Sequence, residues 1–452
     1  MKLIKKKMSF ILALAICAMM VLSMTACTGG NNSSNGDSGS QPATPPSQDS
    51  GSAASSSDNG VGGTISLMML KTNEPGMTAV LSDFATAYPD VTVSTEFISD
   101  LSQFDTAVPT RFAAGNSTDL CHLIAGKGGP VCVVPIAETG KLVDLSDQPW
   151  VSSMYEPTKD LFMLDGKVYA KDFGFCPLAC LQYDKDFFTQ NNLQVPTTFD
   201  ELVEVCKEIK ALGKVPISWA AGEVFVNTNN FIVMGGNTVA SKDPDWLTKR
   251  LSGETKFAGD PGWTEALTQM KELIDIGAFA PGAAAMSMSD MISSFANGDS
   301  EMMFTYGGMV GLALAEVPDK NIGQVAFPGA TVDSTRVTLQ AAGGMAVATT
   351  CKNLDAAYAL LNFWSKPEEG DAFADASAII SPNQAITGNL SGYYSELQPM
   401  FAANQVIPDP TAVFPNASLN EKLGSSLQGL FTGQKTIDQI LVDYDTYFDE
   451  QG

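Results

Sequence analysis

The sequence has a single histidine, His122, among 452 residues. Histidine-based metal centres and serine–histidine–aspartate relays therefore have almost no raw material. Cationic residues are scarce too: 26 Lys and Arg stand against 50 Asp and Glu, a net charge of −24. A chain this acidic repels phosphate backbones and anionic bilayers, which excludes nucleic acid as a partner. Gly126-Lys127-Gly128 is no phosphate loop, because the Gly-x4-Gly-Lys-Ser/Thr frame is missing around it. Cys176 and Cys180 lack both the spacing and the partners of a zinc site. We expect no metal and no cofactor. What remains is globular: 44% hydrophobic residues, with a length that suits two or three structural units.

The first residues point to export. Lys2, Lys5, Lys6 and Lys7 precede the apolar run Phe10 to Leu22, which is too short to span a bilayer comfortably. Residues 1–26 read as a secretory signal. Met24-Thr25-Ala26-Cys27 then resembles a bacterial lipobox, with Cys27 as the lipidated first residue of the mature chain. Met24 stands where Leu is usual. From Thr28 to Gly60 there is no aromatic, Leu, Ile, Val or basic residue. Such a stretch cannot bury enough apolar surface to offset its ordering entropy, so residues 27–60 form a disordered tether. As a flexible coil it spans on the order of 30 Å. Beyond residue 26 the chain carries 22 basic and 50 acidic residues, a net charge of −28. No other apolar run is long enough to cross a membrane.

Six cysteines follow Cys27, and pairing them would allow 15 connectivities. The body is large enough not to need staples, and Cys206 falls on the apolar stripe of a predicted helix. Mostly reduced thiols are expected.

From Thr64 onward strands alternate with amphipathic helices. Ile65 to Leu70 is an unbroken apolar run suited to a sheet covered on both faces. Met77, Leu81, Phe84 and Tyr88 then mark one helix face, and Val91, Val93, Thr95 and Phe97 alternate as a strand. Thr198 and Glu201 predict a capping box opening a helix over Phe199 to Leu212, and Thr436 and Gln439 cap a last one. Further helices are expected at Ala356 to Trp364 and Leu423 to Phe431. The class is α/β, with largely parallel sheets flanked by helices.

Several segments together resemble the extracellular solute-binding proteins of bacterial ABC importers, in their carbohydrate-binding, maltose-binding-protein-like group. They are Asp165 to Gly174 (DGKVYAKDFG), Leu181 to Phe188 (LQYDKDFF) and Val195 to Leu202 (VPTTFDEL). Phe295 to Phe304 (FANGDSEMMF), Gly343 to Ala348 (GGMAVA) and Ser381 to Ala385 (SPNQA) continue the order. The resemblance implies a two-lobed type II periplasmic-binding fold with a ligand cleft between lobes. It places lobe one at residues 61–174 and 342–380, and lobe two at 175–341 and 381–452. Chain crossings fall near Phe173–Phe175, Gln340–Ala342 and Ile380–Asn383.

A sugar presents hydroxyls at its edge and C–H patches on its faces, so its site needs planar polar groups and flat rings. In an α/β sheet those groups belong in loops beyond the carboxyl ends of strands. That position selects Asn73 and Glu74 after the first strand, although Glu74 is equally suited to a helix N-terminus. Lys127 follows the strand over Asp119–Leu123 and matches a charged side chain in maltose-binding relatives; their nearby Trp and Asp are absent. Phe173, with Phe175 beside it, matches an aromatic at the first crossing. Trp219 ends the strand Val215–Ser218 and is the main aromatic candidate from lobe two, with a core wall as the equally weighted alternative. Tyr306 matches a region where the family often stacks an aromatic, and Met309 stands near a frequent Trp. Gln340, Phe414 and Asn416 complete the set. His122 is expected in the core.

The resemblance implies a lipid-anchored, carbohydrate-specific substrate-binding protein without covalent chemistry, working as a monomer with two permease subunits and a cytoplasmic ATPase. A polyamine, amino-sugar or sugar-acid ligand on the same fold is the alternative: acidic pocket residues would favour a cation, Lys127 an acid. A secreted glycoside hydrolase needs two carboxylates flanking a cleft. Asp184 and Asp186 are spaced for a solvated turn instead.

Overall fold

The computed structural model describes residues 60–390, 392–414 and 418–450. The signal segment, Cys27, the tether up to residue 59 and Asn416 lie outside the described residues.

Strands β1 (Gly63–Leu70), β2 (Val91–Ile98) and β3 (Leu120–Leu123) come first. A short ribbon, β4 (Met163–Leu164) with β5 (Lys167–Val168), leads to β6 (Ala170–Asp172), β7 (Phe175–Pro177) and β8 (Cys180–Asp184). Then come β9 (Val215–Ser218), β10 (Ser300–Thr305) and β11 (Ile322–Val325). The last are β12 (Val337–Ala341), β13 (Gly344–Val347) and β14 (Val406–Pro408).

The apolar run of β1 ends up covered on both faces, with Ile65, Leu67, Met68 and Met69 fully buried. It pairs in parallel with β2 over its whole length, from Gly63 opposite Val91 to Leu70 opposite Ile98. The helix between them, Glu74–Ala87, buries Met77, Val80 and Phe84; the expected Leu81 and Tyr88 are only partly covered. The first sheet runs β2-β1-β3-β13-β6, the second β11-β8-β10-β9, and a third β14-β12-β7.

These sheets are mixed, where largely parallel ones were expected. β13 runs antiparallel to both β3 and β6, and β8 antiparallel to both β10 and β11. The physical reason for β13 lies in the connections: β6 to β7 leaves the first sheet and β12 to β13 returns to it, both in extended paths, so the two passes run antiparallel to one another.

Where the chain passes between sheets, three segments lie side by side. The Ala342 amide donates to Gly174 O at 2.8 Å, and Phe175 and Ile380 exchange two backbone hydrogen bonds of 2.8 Å each. Gly343 has φ +135°, and a Cβ there would lie 2.3 Å from His122 Nε2. Only glycine fits that turn.

The buried side chains form two apolar clusters. One gathers β1, β3, β6 and β13 with Phe84, Phe104, Phe173, Trp364 and Phe373. The other gathers β9 and β10 with Trp219, Phe231, Trp263, Phe304 and Tyr444. Ala385, Leu390, Tyr394 and Leu397, placed with the second lobe by the sequence, bury themselves in the first cluster.

The expected caps form. Thr198 and Glu201 make a reciprocal capping box for Phe199–Ala211, and Thr436 and Gln439 another for Ile437–Asp449. All six described cysteines are free and buried. No helix among the described residues is long and apolar enough to cross a membrane.

Candidate functional site

A cavity of about 830 Å³ opens between the two clusters. That is ample for a small ligand, for which clefts of roughly 300–1,000 Å³ are typical. It lies beyond the carboxyl ends of β1, β3 and β10, where the loops after parallel strands gather. One wall comes from Leu70, Thr72 and Asn73, the loop residues Ala125 and Gly128 to Cys132, and Leu101 and Asp105. The facing wall comes from Tyr306, Met309 and Leu312, with Phe414 and Asn420. Gln340, Ala341, Ala342, Ser377 and Asp409 line its base.

Close backbone approach shapes this space. Gly126, with φ +86°, lets its loop meet Ala412, since a Cβ there would fall 2.2 Å from Ala412 O. The next amide, on Lys127, donates to the same oxygen at 3.1 Å. The segment that carries residue 412, just after β14, is thereby tied to the loop after β3.

The structure thus brings together Asn73, Tyr306, Gln340 and Phe414 of the sequence candidates, and Met309 with them. Asn73 is buried ahead of the helix Glu74–Ala87 and makes no capping bond with its side chain. Tyr306 is half-buried directly after β10, its hydroxyl bonded to the Cys176 thiol, which sits 3.2 Å from the Tyr394 hydroxyl. Burial raises the pKa of both phenols, so they remain protonated donors. Phe414 is 2% exposed, and its ring also packs edge-on to Phe448.

Three expected pocket aromatics are core residues instead. Trp219 is 1% exposed, with Phe279, Phe304 and Phe431 around its rings at centroid distances of 5.2, 5.4 and 5.3 Å. Its indole N–H donates to Asn227 Oδ1 at 3.0 Å, so no face or donor remains for a ligand. Phe173 stacks on Trp364 at 5.6 Å and meets His122 and Phe373 edge-on. Phe175 is fully buried beside Tyr155. Glu74 serves the helix start, 3.9 Å from Lys71 Nζ, and does not line the cavity. Lys127 is exposed outside the lining, although Gly128 and Gly129 belong to it.

Asp409 was not anticipated. It is 3% exposed and held by three donors: the Thr411 amide at 2.8 Å, the Thr411 hydroxyl at 2.8 Å and the Gln340 amide at 3.2 Å. Burial raises its pKa while those bonds pull it back. In two further lining residues an atom, Ser377 Oγ and Asn420 Oδ1, is buried and has no hydrogen-bond partner among the described residues. Buried polar atoms are nearly always paired; the Asn420 oxygen can only accept, whereas the Ser377 hydroxyl can donate or accept.

Other titratable groups have structural roles. Asp184 caps the helix Lys185–Gln190 and pairs with Lys320, while Asp186 accepts from Asn321. His122 is fully buried, its Nδ1 accepting from the Leu70 amide at 3.4 Å, and burial pushes its pKa down to about 3. No group of three or more His, Cys, Asp or Glu among the described residues is arranged to hold a metal.

Residues 71–371 match the family profile described as bacterial extracellular solute-binding protein. The diacetylchitobiose binding protein DasA of Streptomyces coelicolor is 24% identical over 265 residues, 57% of this chain and 59% of that protein. The multiple sugar-binding protein of Streptococcus mutans is 22% identical over 256 residues, 55% of this chain and 58% of that protein. The matched stretches thus span less than two thirds of these curated relatives. Among solved structures, the apo form of RafE from Streptococcus pneumoniae superposes with a TM-score of 0.72 at 19% identity, covering 86% of this chain and 97% of that one. RafE in complex with raffinose gives 0.68, also at 19% identity, covering 86% and 99%. At such identities the likeness shows a shared fold.

Proposed function

This chain belongs to the bacterial extracellular solute-binding proteins, and on that premise we propose that it captures a sugar or oligosaccharide in the cleft between its two clusters. The observation that carries this reading is the cleft lining itself. Mostly apolar walls with Tyr306 suit the C–H faces of a sugar, while the polar lining residues Asn73, Gln340, Asp409 and Asn420 suit its hydroxyl edge. The names of DasA and the multiple sugar-binding protein, and the raffinose in one RafE structure, favour the same ligand class.

In this reading the chain is exported, cut before Cys27 and anchored there by lipid to the outer face of the cell membrane. Residues 27–60 tether the body, which works as a monomer and performs no covalent chemistry. Residues 61–174 with 342–380 act as one lobe, with Ala385, Leu390, Tyr394 and Leu397 packed on it, and 175–341 with the remainder of 381–452 act as the other. The side-by-side segments at Gly174, Ala342 and Ile380 form the hinge. Ligand binds both walls only when they approach, and that differential affinity drives closure and delivery to the permease subunits and ATPase.

A thermal-shift screen tests this against neutral saccharides, sugar acids, polyamines and amino acids. A ligand present at 100 times its dissociation constant stabilises by about 2.7 kcal/mol, visible as a raised melting temperature. A saccharide is the expected hit. Hits confined to polyamines or amino acids would keep a transport role and overturn the sugar.

A further inference from the structure

Resting on the saccharide reading, we propose that the cleft rejects carboxylated saccharides relative to their uncharged counterparts, with Asp409 as the residue that sets this discrimination.

The argument begins with what the cleft offers a ligand. Its charged lining residues are Asp105 at the rim and Asp409 at the base; among the described residues no Lys, Arg or His lines it. Lys127, the one cation that the sequence pointed to, is exposed outside the lining. Beyond residue 26 the chain carries a net charge of −28, so the surrounding field has the same sign.

Hydrogen-bond polarity points the same way. Asn420 Oδ1, in a lining residue, is a buried acceptor that no donor among the described residues reaches. The Asp409 carboxylate adds oxygens that only accept while it is ionised, and it cannot swing away, because Thr411 and Gln340 hold it from two chain segments. A sugar hydroxyl brings a proton to each of these oxygens. A uronate brings oxygens that accept and a charge that meets Asp409 with nothing to neutralise it. A like charge placed in such a cleft lowers affinity on the order of tenfold or more.

The test is calorimetric titration of the full-length chain in a non-glycosidic detergent. The neutral probes are raffinose, stachyose, N,N′-diacetylchitobiose and xylotriose; the acidic ones are glucuronate, trigalacturonate and an aldotriouronic acid. The expected result is binding by a neutral probe, with every acid at least about tenfold weaker. Asp409→Asn, which keeps an acceptor for the Thr411 amide, is expected to shrink that gap several-fold. Leu312→Lys, at an exposed position of the cleft wall, is expected to strengthen acid binding at low salt even if the Asp409 variant fails to fold. Acids binding as tightly as neutral sugars would overturn the inference and leave the saccharide reading standing. An unchanged gap in a folded Asp409→Asn would overturn the role of Asp409. Binding of polyamines or amino acids with no saccharide of either kind would overturn both.

Discussion

Trp219→Ala separates a core aromatic from a ligand aromatic. The indole fills a site bounded by Phe279, Phe304 and Phe431, and its N–H is the partner of Asn227 Oδ1. Truncating a buried Trp costs about 3–5 kcal/mol through lost transfer energy and the cavity left behind. Stranding the Asn227 oxygen adds about 1 kcal/mol or more. The total of about 4 kcal/mol or more converts to a fall in melting temperature on the order of 10 °C, for a folding unit of one lobe. Because Trp219 does not line the cleft, affinity for a saccharide below the new transition should stay within about twofold of wild type. Calorimetric unfolding with titration at 15 °C reads both quantities. A variant that melts as wild type does yet loses ligand would refute the core assignment.

Tyr306→Ala should behave in the opposite way, lowering affinity by about tenfold or more with a smaller loss of stability, as titration will show. Asp445→Ala removes a carboxylate that receives Arg250 Nε at 3.0 Å and the amides of Phe257 and Ala258, each at 2.9 Å, in a buried setting. It should cost about 3–5 kcal/mol in denaturant unfolding, because Arg250 is left buried with only Asp449 and a backbone oxygen. His122 is neutral in the fold, its pKa pushed down to about 3, against 6.5 in an unfolded chain. Its contribution to stability is therefore whole above pH 6.5 and is lost as pH falls towards 3; by pH 5 the loss is about 2 kcal/mol. The lone imidazole resonance should show no titration down to pH 5, and a normal midpoint near 6.5 would contradict its burial. Alkylation followed by mass spectrometry should find Cys121, Cys132, Cys176, Cys180, Cys206 and Cys351 unmodified in the native protein and all modified after unfolding.

The parts of the fold legible in the sequence are those fixed by local chemistry. The Thr198–Glu201 and Thr436–Gln439 pairs lie three residues apart, and each needs only its own helix to form. The apolar run of β1 needs only cover on both faces. The cleft was legible by position, since Asn73 and Tyr306 follow strands whose carboxyl ends face it. Trp219 satisfies the same positional rule yet turns inward, because its indole finds Asn227 eight residues on and three rings from distant segments. Nothing within the neighbouring sequence encodes that choice. Asp409, in Pro-Asp-Pro, reads as an ordinary turn; its place at the cleft base depends on Gln340, 69 residues earlier, and on the meeting of Gly126 with Ala412. Sheet direction was missed for a related reason. Whether β13 joins β3 in parallel depends on the extended path that joins it to β12, a property of the whole topology.

The most direct test of the account is a structure of the protein with the saccharide that stabilises it in the thermal screen. The account predicts one sugar held between Tyr306 and Asn73, with hydroxyls within hydrogen-bond distance of Gln340, Asp409 and Asn420, and with the Leu101 and Leu312 walls drawn together. A sugar seated elsewhere, or a cleft that remains unfilled at saturating ligand, would contradict it.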